Sequence, residues 1–124
     1  ADTKYKMFSE WPEKFEIYAW VISISNQGSL AAHMHKEGWL SGSFYLNIPS
    51  KEEGNLEGDI RFSLQGGAYD DGGKEYPEKI VNLKTGDIVM FPSSLFHNTI
   101  PFNSTKNRIT LAFDVRPPDL DLRR

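Results

Sequence analysis

Cysteine is absent from the 124 residues, which excludes disulfide bonds and thiolate metal sites without fixing a compartment. No apolar run approaches the ~20 residues of a membrane-spanning helix, so no membrane association is expected. The opening stretch ADTKYKMFSEWPEKF carries no apolar core of a signal peptide, and a cytoplasmic location is expected. Charge of one sign is not in large excess: 14 Lys and Arg face 17 Asp and Glu, for a net charge of −3. With no basic stripe, binding to nucleic-acid phosphates is not expected. No segment combines helical periodicity with helix caps, and there is no internal repeat and no low-complexity tract. Histidine is scarce, at three residues, which makes its placement informative.

What the chain does contain is short alternating segments separated by turns. In FEIYAWVISIS (15–25), Phe15, Ile17, Ala19 and Val21 share one face, and Tyr18, Trp20, Ile22 and Ile24 share the other. Further strands are expected in SLAAHMH (29–35), SGSFYLNIP (41–49), DIRFSL (59–64), KIVNL (79–83), DIVMF (87–91), FHNTIPF (96–102) and RITLAFDV (108–115). Turns are marked by Asn26-Gln27-Gly28, by Lys36-Glu37-Gly38 and by Lys84-Thr85-Gly86. About eight short strands in a domain of this size point to an all-β double-stranded β-helix, the jelly roll or cupin-like barrel. An immunoglobulin-like sandwich is the alternative, but the Cys…Trp…Cys framework is missing. The length fits one domain over 1–124, expected to be an excised domain or the C-terminal domain of a longer chain.

His33 and His35 stand two apart, so on an extended segment both imidazoles point the same way while Met34 points away. His97 lies far off in sequence, in FHNTIPF. A jelly roll brings early and late strands together, which would converge His33, His35 and His97 on one metal ion. Three protein ligands leave positions open, the pattern of a catalytic rather than a structural metal. Ordinary surface histidines are the competing reading.

On RITLAFDV, Arg108 and Thr110 share a face, and Ile109, Leu111, Phe113 and Val115 take the other. A guanidinium among apolar residues needs an anionic partner. That partner is either a nearby acid such as Asp114 or the carboxylate of a ligand, which arginine grips with two parallel bonds. Tyr45 shares a polar face with Ser41, Ser43 and Asn47, opposite Phe44, Leu46 and Ile48.

Together HMHKEGWLSGSFYLNIP, GDIVMFPSSLFHNTIPF and RITLAFDV resemble the Fe(II)- and 2-oxoglutarate-dependent oxygenases. The resemblance is closest to the oxygenase domain found at the C-terminus of some bacterial tetratricopeptide-repeat proteins, and it runs from about Trp11 to Pro117. In that superfamily an H-x-D/E pair and a later histidine hold iron. An arginine about ten residues after that histidine, with a hydroxyl two residues further on, holds the distal carboxylate of 2-oxoglutarate. The resemblance therefore implies Fe(II) on His33, His35 and His97, and 2-oxoglutarate on Arg108 and Thr110 with a hydrogen bond from Tyr45. It implies oxidative decarboxylation of 2-oxoglutarate coupled to C–H oxidation of a small-molecule or peptide substrate. The chain departs from the superfamily in one respect: its pair is H-x-H. A rival alignment takes His35-Lys36-Glu37 as H-x-E, with Glu37 replacing one histidine.

Two other classes stay open on sequence grounds. A metal cupin shares the barrel and the H-x-H start. Cupins, however, separate that pair from their glutamate by a longer spacer than Lys36, and carry a glycine where Pro92-Ser93-Ser94 stands. They also leave Arg108 without a role. A degenerate binding domain would keep the pocket without the chemistry. Trp20 and Trp39 are expected in the core or walling a pocket, Asp70 and Asp71 in a solvated loop, and loops 50–58 and 66–78 over the substrate. Because FEIYAWVISIS is apolar on both faces, a homodimer partner or a preceding segment is expected to cover it.

Overall fold

The computed structural model describes residues 13–26, 28, 32–36, 38–64 and 77–118. Seven strands run in chain order: β1 (Glu16–Ile24), β2 (Leu40–Asn47), β3 (Ile60–Ser63), β4 (Glu78–Val81), β5 (Ile88–Pro92), β6 (Phe96–Thr99) and β7 (Arg108–Arg116). They form two antiparallel sheets, one ordered β1-β7-β2-β5 and the other β4-β3-β6. This is the expected all-β jelly roll, with no helix among the described residues. None of them therefore forms a helix long and apolar enough to cross a membrane.

The expected strand over 29–35 is reduced, among its described residues, to one antiparallel bridge between His33 and His97. Reciprocal backbone bonds of 3.1 and 3.0 Å make that bridge, and His35 N donates to Ser93 O at 2.9 Å. The segment thus extends the smaller sheet beyond β6 at one point, which is the point that matters for the histidines.

Alternation along β7 sorts the chemistry. Arg108, Thr110, Ala112 and Asp114 are buried on the inner side of the larger sheet. Ile109, Leu111 and Phe113 lie on the outer side and are only half-buried. Between the sheets, Tyr45, Ile48, Ile60, Phe62, Leu83 and Phe91 form the core, drawn from both sheets. Each such side chain contributes about 1.5–3 kcal/mol on burial. Phe62 and Phe91 meet tilted by 59° at 4.9 Å between centroids, the edge-to-face arrangement favoured by ring quadrupoles.

A β-bulge alters the expected faces of β2. Tyr45 pairs with Thr110 and Asn47 with Ile109, so Leu46 is an extra residue. The alternation resets there. Asn47 leaves Tyr45's face and donates to Asn107 O at 2.7 Å near the surface, while Ile48 turns into the core. Gly42 has the opposite constraint, since a Cβ there would lie 2.2 Å from Cζ of Phe113 on the neighbouring strand. Only glycine lets that ring cross β2.

The outer face of the larger sheet is apolar and open. Ile17 and Val21 on β1 are 61% and 62% exposed, and Ile88 and Met90 on β5 are 60% and 57% exposed. The sequence leads one to expect β1 covered on both sides, and the described residues cover one.

Candidate active site

At one end of the space between the sheets the three histidine rings meet. Centroid distances are 4.2 Å for His33–His97, 5.2 Å for His33–His35 and 5.1 Å for His35–His97. One ligand nitrogen from each lies within 4.8 Å of the others. His33 is set by the bridge to β6, His97 by β6 itself, and His35 by its backbone bond to Ser93.

The far side of two rings is already committed. His35 Nδ1 lies 2.8 and 2.9 Å from the two carboxylate oxygens of Asp114. His97 Nδ1 donates to Leu95 O at 3.2 Å. With Nδ1 of both rings taken up by these oxygens, Nε2 is the nitrogen left to bind a metal. Burial lowers the pKa of His97 from the usual 6.5 to about 4, against the raising effect of Leu95 O and with a further lowering from His33. His97 is therefore a neutral ligand at neutral pH, with no proton to displace. Trp20 stacks on His35 at 5.6 Å and Phe91 tilts against His97 at 4.7 Å, so the rings have apolar backing. Trp20 thus walls the pocket. The donor set fits one divalent transition metal with open positions.

The same cavity runs on to Tyr45, Thr110 and Arg108. Arg108 is 3% exposed; its Nε donates to Gly58 O at 2.9 Å and its Nη1 to Thr110 Oγ1 at 3.1 Å. Its Cζ stands 5.1 Å from the Tyr45 ring centroid. Every one of these partners is neutral. Burial lowers the Arg108 pKa, while neighbouring Tyr45 and Asp59 raise it. Among the described residues no carboxylate forms a salt bridge with it. Asp114, the acid expected to compete for it, is turned to His35 instead. Asp59 is fully buried but is held by Lys51, by Asn82 Nδ2 at 3.2 Å and by Leu83 N at 2.9 Å.

Beside the guanidinium, the Tyr45 hydroxyl is buried with no hydrogen-bond partner. Ser43 and Arg108 are close by without reaching hydrogen-bond geometry, and burial raises the phenol pKa, so the hydroxyl keeps its proton. A cation with neutral partners, a free hydroxyl donor and Thr110 form a cradle for a carboxylate. The 2-oxoglutarate distal carboxylate fits that cradle.

Of the residues the sequence singles out, His33, His35, His97, Arg108, Thr110 and Tyr45 all line this one cavity. Glu37, Asp70 and Asp71 lie outside the described residues. Sequence reasoning gave Asp114 and Ser41 no place beside His35, and missed the Gly58 carbonyl. The first two were within reach of the period-two count along β7 and β2, because Asp114 shares the inner face with Arg108 and pairs with Ser41. The Gly58 carbonyl is a backbone group and leaves no signature in residue type. Loop 50–58, expected as a lid, is tied down: Lys51 Nζ donates to Glu57 O at 2.9 Å and pairs with Asp59. It serves as the wall against which Arg108 is fixed.

Comparison with known proteins agrees with this geometry. Residues 18–114 match the family described as "Putative 2OG-Fe(II) oxygenase". The crystal structure of a Pseudomonas putida prolyl-4-hydroxylase is similar in fold, with a TM-score of 0.58 and 21% sequence identity. The match covers 86% of this chain and 54% of that one, so the chain spans about half the length of that hydroxylase. No curated protein matches the chain. With three imidazoles at one end of the cavity, an arginine cradle at the other and the family match across both, the chain belongs to the 2OG-Fe(II) oxygenase family.

Proposed function

We propose that this domain is a dioxygenase that couples oxidation of 2-oxoglutarate to hydroxylation of a substrate C–H bond. In balanced form, substrate C–H, 2-oxoglutarate and O₂ give substrate C–OH, succinate and CO₂. The observation that carries the reading is Arg108, buried and hydrogen-bonded, among the described residues, to neutral groups, beside a histidine cluster in the same cavity.

In this reading His33, His35 and His97 hold Fe(II) through nitrogen lone pairs. Bound Fe(II) supplies the chemistry that binds the keto-acid end and activates dioxygen. Arg108 takes the distal carboxylate, Thr110 Oγ1 keeps Nη1 in plane, and the Tyr45 hydroxyl donates the remaining hydrogen bond. Anchoring that end fixes where the keto acid meets the metal, which is a matter of orientation. Phe91, Ala112 and Ile60 line the channel between the two ends and keep water out. A cupin reading gives Arg108 no task and is the weaker for it.

The substrate is an unassigned small molecule or peptide residue. Fe(II) and 2-oxoglutarate are both available in a reducing cytoplasm, the compartment this reading assigns. The domain is proposed to be a single unit over 1–124 and the C-terminal part of a longer chain. Its open outer face supports cover by a second copy or by a preceding segment. Sedimentation at micromolar concentration tests the former, and a monomer with that sheet bare counts against both.

The deciding experiment is 2-oxoglutarate binding to the anaerobic Fe(II)-loaded protein, read by the visible charge-transfer band. Arg108→Ala is expected to weaken 2-oxoglutarate binding on the order of 100-fold, the cost of losing a buried charge partner. A protein that binds metal without giving the band would remove 2-oxoglutarate from the account.

A further inference from the structure

We infer that Asp114 supplies, through the His35 ring, the anionic charge that the H-x-H pair takes away from the iron's own ligands. The inference rests on the reading of His33, His35 and His97 as iron ligands, and assigns Asp114 as the positioning residue behind them.

A facial set of two histidines and one carboxylate gives a non-haem Fe(II) one negative charge among its protein ligands. Three neutral imidazoles give it none. The chain places a carboxylate one ring further out. Both oxygens of Asp114 face His35 Nδ1, at 2.8 and 2.9 Å. The Ser41 hydroxyl donates to Oδ1 at 2.6 Å and is itself linked to the Ser93 hydroxyl at 2.8 Å. Arg116 Nη2 is the more distant partner, 3.5 Å from Oδ2, with its guanidinium over the Tyr18 ring. The ring and the serine thus hold the carboxylate more tightly than the cation does.

The site is built for this contact. Asp114 is 2% exposed, so its charge acts through protein rather than through screening water. Ladder pairing sets Ser41 opposite it. The turn after His35 passes close overhead at Gly38, where a Cβ would come 2.5 Å from Ser93 Oγ and 3.4 Å from Asp114 Cγ. Burying a carboxylate costs free energy that apolar packing would avoid. A carboxylate that accepts the Nδ1–H makes Nε2 a stronger donor to a metal and fixes the ring's tautomer.

Asp114→Asn keeps shape and an acceptor for Nδ1–H while deleting the charge. Fe(II) affinity should fall by about 10- to 100-fold, as for other partners of metal-bound histidines. At saturating metal and 2-oxoglutarate, the charge-transfer band should move to shorter wavelength, because a less electron-rich iron yields its electron to the keto acid less readily. Ser41→Ala keeps the carboxylate and strips its shortest hydrogen bond, so the band should move to longer wavelength. A purely orienting role would lower affinity and leave the saturated band in place. That result, or unchanged affinity, overturns the inference. If Asp114→Asn does not fold, Ser41→Ala decides by itself: a band that stays where it is overturns the inference. A wild-type band with both variants unmoved refutes only the charge role; a wild-type protein that binds Fe(II) and shows no band refutes the cosubstrate reading as well.

Discussion

The two ends of the cavity treat buried charge in opposite ways. At the metal end a base and an acid are already matched: His35 meets Asp114 at 2.8 Å, and Ser41 completes the carboxylate. At the other end Arg108 is equally buried, and among the described residues it meets a carbonyl, a hydroxyl and an aromatic face. The chain does own a second buried carboxylate nearby, Asp59, but spends it on Lys51 and the backbone of Leu83. Under the proposed function, the difference matches a cation at the histidine end and an anion at the arginine end. An oxygenase that must assemble metal and keto acid in one channel needs both, and needs them at opposite ends.

That contrast can be broken at either end. The largest effect should come from His97→Ala. Loss of a ligand should reduce Fe(II) affinity by more than the roughly 10- to 100-fold typical of an outer partner, measured by anaerobic titration. Arg108→Lys should come next. It keeps the charge and loses the planar fork, and 2-oxoglutarate affinity should drop by about tenfold while Fe(II) binding without cosubstrate stays as in wild type. If Fe(II) affinity falls with it, the two ends are not separate. The smallest effect belongs to Tyr45→Phe. It should weaken 2-oxoglutarate binding by a few-fold, from about 1 kcal/mol for one hydrogen bond. It should leave the melting temperature of the metal-free protein unchanged or higher, because it deletes a buried hydroxyl that has no partner there. A clear drop in melting temperature would mean that Tyr45 is a structural residue first.

How much of this was legible in the sequence depends on whether a feature repeats or stands alone. β7 was legible almost to its ends, since the alternation from Arg108 to Asp114 reports itself. The same count placed Arg108 and Thr110 on the inner face. Carried two steps further it would have placed Asp114 there too, instead of leaving it as a surface acid for Arg108. The convergence of His33, His35 and His97 was legible as a possibility of the jelly roll. The local structure around His33 was not, because a single bridge has no periodicity to read. The bulge at Leu46 was hidden for the same reason: one extra residue shifts Asn47 and Ile48 to opposite faces without changing composition. Loop 50–58 looked free because its residues are polar. Lys51 and Asp59 tie it down through a contact that no local pattern announces.

The bridge at His33 has a further consequence. His33 and His97 belong to the smaller sheet, whereas His35 is tied through Asp114 to the larger one. A cation held by all three would act as a rivet through the seam of the sandwich. The free energy of chelation then becomes free energy of folding, about 2.7 kcal/mol when free metal stands at a hundred times its dissociation constant. Iron supply would set how long the domain survives as well as how fast it turns over. Starvation for iron would thus lower the amount of this protein before it altered anything about its chemistry.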